Sequence, residues 1–371
     1  RVKTSFWVCE VVIGMTQPLI IRADASHRVG TGHMMRCLAL IQGLQSLGGS
    51  IIFLSHCKDA SILDRLRSTG VRVKQIREPH PDSSDLRLTV ETIQDLAGDL
   101  PHEVTPWVLL DGYNFDRTYH HAIRNTGAKL IIVDDIAHLS RYEANVIVNQ
   151  NTYARELNYQ VNEDATLLFG ADYALLRREF LRWGVTPREI SGDAKRLLVT
   201  LGGSDPVNFT PVVIRSLDLV EEPKFEVRII VGSSNPRLDE IEDMIQDSHH
   251  DIEVLQNVSN MAEIIAWADV AVASAGTVVW ELLHMGLPSI LISLSSNQVP
   301  VANDLALKRA AIYAGWYGDL DERAISEYLI QLASQPAQRQ DMSEIGRGMV
   351  DGNGVWRILK SLGMDCGKAD I

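Results

Sequence analysis

Short apolar segments alternate with amphipathic segments along most of the chain. In the first half, 107–111 (WVLLD) and 129–134 (KLIIVD) predict fully buried strands, and the stretches between such segments have helical spacing. Apolar strands separated by helices are typical of a parallel sheet covered on both faces. We therefore predict a doubly wound α/β domain, which binds ligands at the carboxyl ends of its strands. The predicted strands are 18–23, 50–56, 71–76, 107–111, 129–134 and 145–149, and the predicted helices include 34–44, 61–68 and 83–96.

A second series of the same kind follows 186–193, a polar segment with proline and glycine that is typical of a linker. A chain of 371 residues exceeds the roughly 250–300 residues at which single cores stop growing. We predict domains at 16–187 and 194–350, a closing helix and tail at 351–371, and a ligand-binding cleft between the domains. The predicted strands of the second half are 195–201, 227–231, 252–255, 269–273 and 289–292, with a helix starting near Pro206.

The segment 22–37 (RADASHRVGTGHMMRC) changes from strand to glycine loop to helix and leaves His33 at the turn. Gly30 and Gly32 allow the backbone to approach a ligand, and the start of the helix presents free N–H groups that suit a phosphate. The helix dipole also favours neutral imidazole, which poises His33 to accept a proton near pH 7. The local pattern fits a helix cap or a packing residue as well, because a glycine-rich turn is a weak signal.

The second half carries its own turn between a strand and a helix, 274–277 (SAGT), with Glu281 one turn further along. The N–H groups of this turn suit a diphosphate, and the Glu281 carboxylate can accept hydrogen bonds from ribose hydroxyls. An ordinary helix cap explains the same residues equally well. Both readings therefore stay open at this point.

Polar side chains follow several predicted strands of the first half. Because the carboxyl ends of parallel strands meet at one edge of the sheet, we expect these side chains to lie at a common edge. They are Asp24, Asp111, Tyr113, Asn114, Asp134 and Asp135. Asp134 and Asp135 form a cluster with His138, but its spacing does not demand a metal, so we expect neither a metal nor a cofactor.

Composition narrows the class of partner. Apolar residues make up 46% of the chain and charged residues 22%, as in ordinary globular proteins. The net charge of −13 argues against a nucleic-acid-binding surface, which needs a basic stripe, whereas a nucleotide can be held by backbone amides alone. The four cysteines share no CxxC spacing, which fits a reducing cytoplasm. No apolar run approaches the roughly 18–20 residues of a membrane span.

Residues 1–15 precede the first convincing strand. They resemble a signal peptide only faintly, because Glu10 interrupts their apolar part. We interpret them as a disordered or artefactual extension.

Several motifs in a fixed order give the chain a resemblance to a known family. They are IRADASHRVGTGHMMRCLAL, LLDGYNFD, DYALLRREF, LGGSDPVN, SSNP, ASAGTVVWELLHMGLPSILI and SSNQ. Together they resemble the PseG-type hydrolases of the pseudaminic acid pathway, which act on UDP-2,4-diacetamido-2,4,6-trideoxy-β-L-altropyranose, and the related spore-coat polysaccharide proteins. The second half is also similar to the UDP-N-acetylglucosamine transferases of peptidoglycan synthesis. The resemblance implies a GT-B-like α/β fold, with two Rossmann-like domains facing a cleft and a closing helix at 350–359 that crosses back to the first domain.

The resemblance implies a catalytic pair in the first domain. His33 matches the histidine that activates the water attacking the anomeric carbon, which displaces UDP with inversion. Tyr113 matches a tyrosine of the active-site loop. The one departure is Gly112, where the hydrolases carry a histidine beside this tyrosine.

The resemblance also implies a nucleotide site in the second domain, where Glu281 and Asn297 hold the nucleotide and the diphosphate rests at Gly276 and Thr277. The remaining candidates for substrate binding are Asp24, Gly32, Arg177, Gly203 and Ser274.

The expected function is hydrolysis of a UDP-linked 2,4-diacetamido-2,4,6-trideoxy sugar, with that UDP-sugar as the partner and no nucleic acid or membrane insertion. The closest alternative is a GT-B glycosyltransferase that passes the sugar of a UDP donor to a hydroxyl acceptor. A second alternative is a non-catalytic nucleotide-sugar-binding protein, which His33 and Tyr113 argue against.

Overall fold

The computed structural model describes residues 17–25, 31–184, 186–203, 205–232 and 235–364. In these residues the chain forms two α/β domains, each built on a parallel sheet with helices on both faces. The predicted fold class is therefore confirmed. The extension predicted at 1–15, the loop glycine Gly30 and the tail beyond 364 lie outside the described residues.

The first domain is organised by a parallel sheet. Its strands are β1 Leu19–Ala23, β2 Ile51–Ser55, β3 Arg72–Gln75, β4 Trp107–Asp111, β5 Lys129–Val133, β6 Val146–Asn149 and β7 Thr166–Phe169. Their spatial order is β3-β2-β1-β4-β5-β6-β7. Strands β1 to β3 are added toward one edge of the sheet and β4 to β7 toward the other. The strand order therefore switches between β1 and β4, where doubly wound sheets bind ligands.

The central strands β1 and β4 are buried along their whole length and mostly apolar, because helices cover both faces of the sheet. The helices of this domain are α1 Gly32–Ser46, α2 Ala60–Ser68, α3 Ser83–Gly98, α4 Arg117–Arg124 and α5 Arg178–Leu181. Ile21 of β1 packs on the side of α1 and α2, and its neighbour Ile20 packs on the side of α3 and α4. This alternation follows from the two-residue period of a strand.

The second domain repeats the plan. Its strands are β8 Arg196–Thr200, β9 Glu226–Val231, β10 Asp251–Gln256, β11 Val270–Ser274, β12 Ser289–Ser293 and β13 Ile312–Trp316, in the order β10-β9-β8-β11-β12-β13. Its helices are α6 Thr210–Leu217, α7 Leu238–Ile245, α8 Met261–Trp267, α9 Val278–His284, α10 Val299–Leu307, α11 Glu322–Ser334 and α12 Pro336–Met349.

The helix predicted to start near Pro206 begins four residues later, at Thr210. Asp205 and Asn208 adopt positive φ, which turns the chain before the helix begins. The Asp205 carboxylate then accepts hydrogen bonds from the N–H groups of Phe209 (2.9 Å) and Thr210 (2.8 Å). The turn therefore delays the start of the helix, and Asp205 satisfies the N–H groups of Phe209 and Thr210 at that start.

The segment between the domains is tied to the second domain by Arg188. Its guanidinium donates to the carbonyls of Ile265 (2.6 Å) and Ala268 (2.5 Å) at the end of α8, and of Met285 (3.1 Å) after α9. Burial lowers the pKa of Arg188 to about 10. A cation at two helix C-termini satisfies carbonyls that lack an intrahelical partner.

The chain returns to the first domain at its end. Helix α13, Gly354–Ser361, follows α12 and packs against α1. Val355, Ile358 and Leu359 belong to the same apolar core as β1 and α1. The two domains are thus joined by two crossings of the chain.

Among the described residues, no helix combines the length and apolar character needed to span a membrane.

The packing of α13 on α1 depends on the absence of a side chain at Gly43. A Cβ at this position would collide with Val355 Cγ1 and lie 3.2 Å from Leu359 Cδ1. We expect Gly43→Ala to lower the free energy of unfolding by about 1–3 kcal/mol, because overpacking forces the helices apart. Urea denaturation measures this change.

The matched control is Gly348→Ala near the end of α12, where a Cβ would meet no atom within 4 Å. It should leave stability unchanged or raise it by up to about 1 kcal/mol, because alanine favours the helix. Equal effects of the two substitutions would contradict the packing described for α13.

Candidate active site

A cavity of about 680 Å³ lies between the carboxyl ends of the two sheets and is lined by both domains. Its size is that of a small-molecule site. Ten of the eleven site residues predicted from the sequence line it, namely Gly32, His33, Tyr113, Arg177, Gly203, Ser274, Gly276, Thr277, Glu281 and Asn297.

Glycines let the two domains approach each other closely. A Cβ added to Gly32, at the start of α1, would lie 2.8 Å from Thr277 Oγ1 in the second domain. A Cβ on Gly203, after β8, would lie 3.0 Å from Thr31 Oγ1 in the first domain. The glycines therefore allow the start of α1 to meet the turn before α9 across the cavity.

His33 is buried and is held by a carboxylate. Its Nδ1 lies 2.5 Å from Asp111 Oδ1, at the end of β4. Two acceptors cannot share that distance, so Nδ1 carries the proton and donates to Asp111. In the neutral ring the other nitrogen, Nε2, is then an acceptor, and no described residue forms a hydrogen bond with it. This tautomer is the one a general base needs.

Arg36 binds the same carboxylate with two hydrogen bonds. Its Nε and Nη2 donate to Asp111 Oδ2 (2.7 Å) and Oδ1 (2.6 Å), while Nη1 lies 2.9 Å from both oxygens of Asp135. Burial alone would raise the pKa of Asp111, but Arg36 and His33 hold it well below its usual range. Asp111 therefore carries its negative charge at neutral pH.

Tyr113 joins this network to the second domain. Its hydroxyl donates to Asp135 Oδ2 (2.7 Å) and accepts from Asn297 Nδ2 (3.4 Å) across the cleft. Its ring meets the ring of His33 edge-on, with centroids 5.4 Å apart. Burial and the Asp135 carboxylate raise the pKa of Tyr113 well above its usual range, so the hydroxyl acts as a neutral group.

Gly112, the departure from the hydrolase pattern, has a φ of +155°. L side chains rarely adopt this conformation, and a Cβ here would lie 3.0 Å from Asn114 Oδ1 and 3.1 Å from Phe115 Cε2. Glycine at this position therefore lets the chain turn sharply between Asp111 and Tyr113, so that both side chains reach His33.

The carboxylate of Glu281 forms an ion pair across the cleft. Glu281 Oε1 accepts a hydrogen bond from Arg177 Nη2 at 3.0 Å. Burial raises the pKa of Glu281, and the Arg177 charge opposes this shift. The two predicted residues are thus brought together, although the sequence assigned them no mutual contact.

Asp24, the remaining predicted site residue, is not among the residues that line the cavity. Its carboxylate accepts both Nη1 (2.5 Å) and Nη2 (2.8 Å) of the buried Arg22. It also accepts the backbone N–H of His56 at 2.7 Å. These hydrogen bonds tie the Asp24 carboxylate to β1 and to the residue that follows β2.

The cluster at the end of β5 is a hydrogen-bonded network. Asp134 accepts from Ile136 N (2.7 Å), Ala137 N (2.7 Å), His138 Nδ1 (2.7 Å) and Tyr142 OH (2.6 Å). Its oxygens are therefore used by protein donors. Among the described residues, no group of three or more His, Cys, Asp or Glu side chains is arranged to hold a metal ion.

Arg36 and the pairing of Asp111 with His33 were missed from the sequence. One signal was present, since Arg36 lies three residues after His33 and hence on the same helix face. The carboxylates that they bind are 75 and 99 residues away from Arg36, and helical spacing cannot show contacts at that separation.

Comparison with known proteins places the second domain. Residues 197–352 match the model of the glycosyltransferase family 28 C-terminal domain. A UDP-N-acetylglucosamine–N-acetylmuramyl-(pentapeptide) pyrophosphoryl-undecaprenol N-acetylglucosamine transferase from Caldanaerobacter subterraneus is 26% identical over 178 residues, which cover 45% of this chain and 48% of that protein.

Two relatives are similar over more of the chain. An uncharacterised protein of Methanocaldococcus jannaschii is 25% identical over 297 residues, and the match covers 78% of this chain but only 58% of that protein. The spore coat polysaccharide biosynthesis protein SpsG of Bacillus subtilis is 23% identical over 349 residues, covering 92% of this chain and 96% of the relative.

Solved structures share the whole architecture. The crystal structure of Acinetobacter baumannii MurG has a TM-score of 0.64 at 15% identity and covers 94% of this chain and 100% of its own. The Neisseria meningitidis UDP-GlcNAc 2-epimerase bound to UDP-GlcNAc has a TM-score of 0.62 at 12% identity, covering 94% and 100%. The chain therefore has a GT-B fold, with two Rossmann-like domains facing a cleft.

The network around Asp134 makes stability depend on pH. Burial alone would raise the pKa of Asp134, but hydrogen bonds from His138 and Tyr142 lower it to about 2. Because the folded pKa is below the unfolded value of about 3.9, this stabilisation is present above pH 4 and is lost as the pH falls toward 2. Between pH 5 and 2.5, Asp134 should account for roughly 2 kcal/mol of lost stability.

The measurement is urea unfolding at both pH values for the wild type and for Asp134→Asn, whose pH dependence should be shallower by that amount. Asp99→Asn, at an exposed helix end, is the control and should keep the wild-type dependence. If Asp134→Asn also kept it, the account of this network would be wrong.

Proposed function

We propose that this chain hydrolyses a UDP-linked 2,4-diacetamido-2,4,6-trideoxy sugar, releasing UDP by attack of water at the anomeric carbon. The observation that carries the proposal is the pairing of His33 with Asp111 directly across the cavity from the turn before α9. The product would serve the biosynthesis of pseudaminic acid or a related nonulosonate.

The nucleotide half of the proposal rests on the second domain. The match to the family 28 C-terminal domain and the UDP-N-acetylglucosamine transferase relative support a UDP-sugar as the ligand. In the turn at 274–277 the Ala275 N–H donates to the Ile292 carbonyl (2.9 Å), so Gly276 and Thr277 offer backbone N–H groups for the diphosphate, and Glu281 offers a carboxylate for the ribose hydroxyls. The first amides of α1, a helix of 15 residues, face the same cavity and add a positive dipole end.

The chemical half of the proposal rests on the first domain. His33 Nε2 takes a proton from a water, the water oxygen forms a bond to the anomeric carbon, and the bond between that carbon and the diphosphate oxygen breaks with its electron pair leaving on UDP. Asp111 stabilises the imidazolium that this transfer creates. Attack from the face opposite to UDP gives inversion at the anomeric carbon.

The choice of sugar rests on the ordered motifs shared with the pseudaminic acid pathway hydrolases. The similarity to a spore coat polysaccharide biosynthesis protein over nearly the whole chain supports a role in polysaccharide biosynthesis.

A glycosyltransferase is the second candidate, favoured by the family 28 match and by the similarity to the N-acetylglucosamine transferase. Both reactions use the same UDP site and a base that takes a proton from the nucleophile. They differ in the nucleophile, which is water in one case and an acceptor hydroxyl in the other.

The base is tested by His33→Asn. The asparagine fits the site but cannot accept the proton, so we expect turnover to fall by at least about 100-fold, while UDP binding stays within about threefold of the wild type. Steady-state kinetics and calorimetric titration with UDP measure the two quantities.

His56→Asn is the matched control. His56 lies at the end of the neighbouring strand β2, and its Nδ1 is bonded to the Ile76 carbonyl at 3.1 Å, away from the cavity. It should keep wild-type turnover. A His33→Asn enzyme with nearly unchanged turnover would remove His33 from its role as base.

The bond that breaks is tested by turnover in ¹⁸O-water with a panel of UDP-linked deoxy-diacetamido sugars. We expect the label in the free sugar and none in UDP, because water attacks carbon. Label in UDP would mean attack at phosphorus and would refute the mechanism. Release of UDP only when a hydroxyl acceptor is added would favour the transferase.

A further inference from the structure

We infer that Arg36 is the positioning residue that sets both the orientation and the proton affinity of the catalytic base, and that it couples the base to Tyr113. This inference rests on the proposed function for His33. The observations that carry it are the geometry of one guanidinium between two carboxylates and its contact with the imidazole.

The guanidinium fixes which oxygen of Asp111 faces the base. Nε donates to Oδ2 at 2.7 Å and Nη2 donates to Oδ1 at 2.6 Å. These two hydrogen bonds prevent the carboxylate from rotating. His33 Nδ1 then meets Oδ1 at 2.5 Å. Because the carboxylate is fixed, the imidazole ring is fixed, and Nε2 is left for the cavity.

The guanidinium also balances charge at the base. Arg36 contributes one positive charge, and Asp111 and Asp135 contribute two negative charges, all at least mostly buried. With neutral His33 the group has a net charge of −1, and with protonated His33 it has a net charge of zero. Arg36 Nη2 lies 3.0 Å from His33 Nδ1, so its charge acts on the imidazole directly.

Removal of Arg36 should therefore make His33 hold its proton more strongly, because two unbalanced carboxylates would face it. Removal of the Asp135 charge should have the opposite effect. The titratable and charged groups of the described elements around His33 are Arg36 and Cys37 on α1, Asp111 at the end of β4, Tyr113 after β4, Asp134, Asp135 and His138 after β5, and the cavity-lining Arg65, Arg177 and Glu281.

The same side chain links the base to the second domain. Arg36 Nη1 donates to both oxygens of Asp135, and Asp135 accepts a hydrogen bond from the Tyr113 hydroxyl. That hydroxyl in turn accepts a hydrogen bond from Asn297 Nδ2 on the other side of the cleft. A displacement of Arg36 would release Tyr113 as well as His33. One buried cation thus orients both predicted catalytic groups.

The experiment is a pH titration of the full-length chain labelled with ¹⁵N-histidine, followed by NMR. The His33 ring signals are identified by their loss in His33→Asn. In the wild type we expect the neutral ring to carry its proton on Nδ1. In Arg36→Gln the titration midpoint of His33 should rise by about one pH unit, and in Asp135→Asn it should fall by about half a unit.

Arg36→Lys separates charge from geometry. Lysine keeps the positive charge, so the midpoint should stay within about 0.3 pH units of the wild type, but it cannot grip two carboxylates as a fork. We expect kcat to fall at least about tenfold with little change in KM, because Arg36 contacts the base and its two carboxylates and not the turn at 274–277 or Glu281. If Arg36→Gln does not fold, Asp135→Asn and Arg36→Lys still decide the question.

Arg22→Gln is the matched structural control. Arg22 is also buried between two carboxylates, Asp24 and Asp85, but its side chain belongs to the opposite face of the sheet from α1. It should lower stability without moving the His33 midpoint.

Opposite shifts in Arg36→Gln and Asp135→Asn support the inference, because general damage to the fold would not change sign. The inference fails if both midpoints equal that of the wild type, or if Arg22→Gln shifts the midpoint as much as Arg36→Gln does. The NMR result stands even if no UDP-sugar is hydrolysed, so a failure of the proposed function is distinguishable from a failure of this inference.

Discussion

The site depends on the close approach of the two domains at glycines, which carry no side chain. Gly32 meets Thr277, and Gly203 meets Thr31, at distances that leave no room for a Cβ. Each contact joins the carboxyl edge of one parallel sheet to that of the other, where doubly wound folds bind ligands. The proposed base on one edge and the proposed nucleotide-binding turn on the other can therefore act on the same small molecule, and α13 packs on the first domain.

Within that frame, electrostatics selects what His33 can do. A buried carboxylate is costly unless its charge is balanced and its oxygens are hydrogen-bonded. Asp111 meets both conditions through Arg36, and its Oδ1 accepts a further hydrogen bond, from the imidazole that it orients. Asp134 meets them through backbone and side-chain donors, which makes it part of the scaffold. Neighbouring aspartates at two strand ends thus have different roles because their donors differ.

The sequence predicted the mostly apolar strands β1 and β4, since burial on both faces of the sheet produces an almost continuous apolar run. It missed β7, whose first two residues are exposed, and β13, which contains Gly315 and a register shift. Local turns identified most cavity residues, because a glycine loop before a helix is a local signal. Asp24 shares the strand-end position of Asp111 but is occupied by Arg22, and the contacts of Arg36 cross the fold, so tertiary packing alone decided their roles.

The central claim is that one cleft brings a uridine diphosphate in the second domain within reach of a base in the first. A crystal structure of the protein with UDP tests it most directly. The account predicts the ribose hydroxyls at Glu281, the diphosphate between Gly32 and the 274–277 turn, and the β-phosphate directed toward His33 Nε2, with space for a sugar and a single water. Density for UDP away from this turn, or a His33 ring rotated from Asp111 and shielded from the nucleotide, would contradict it.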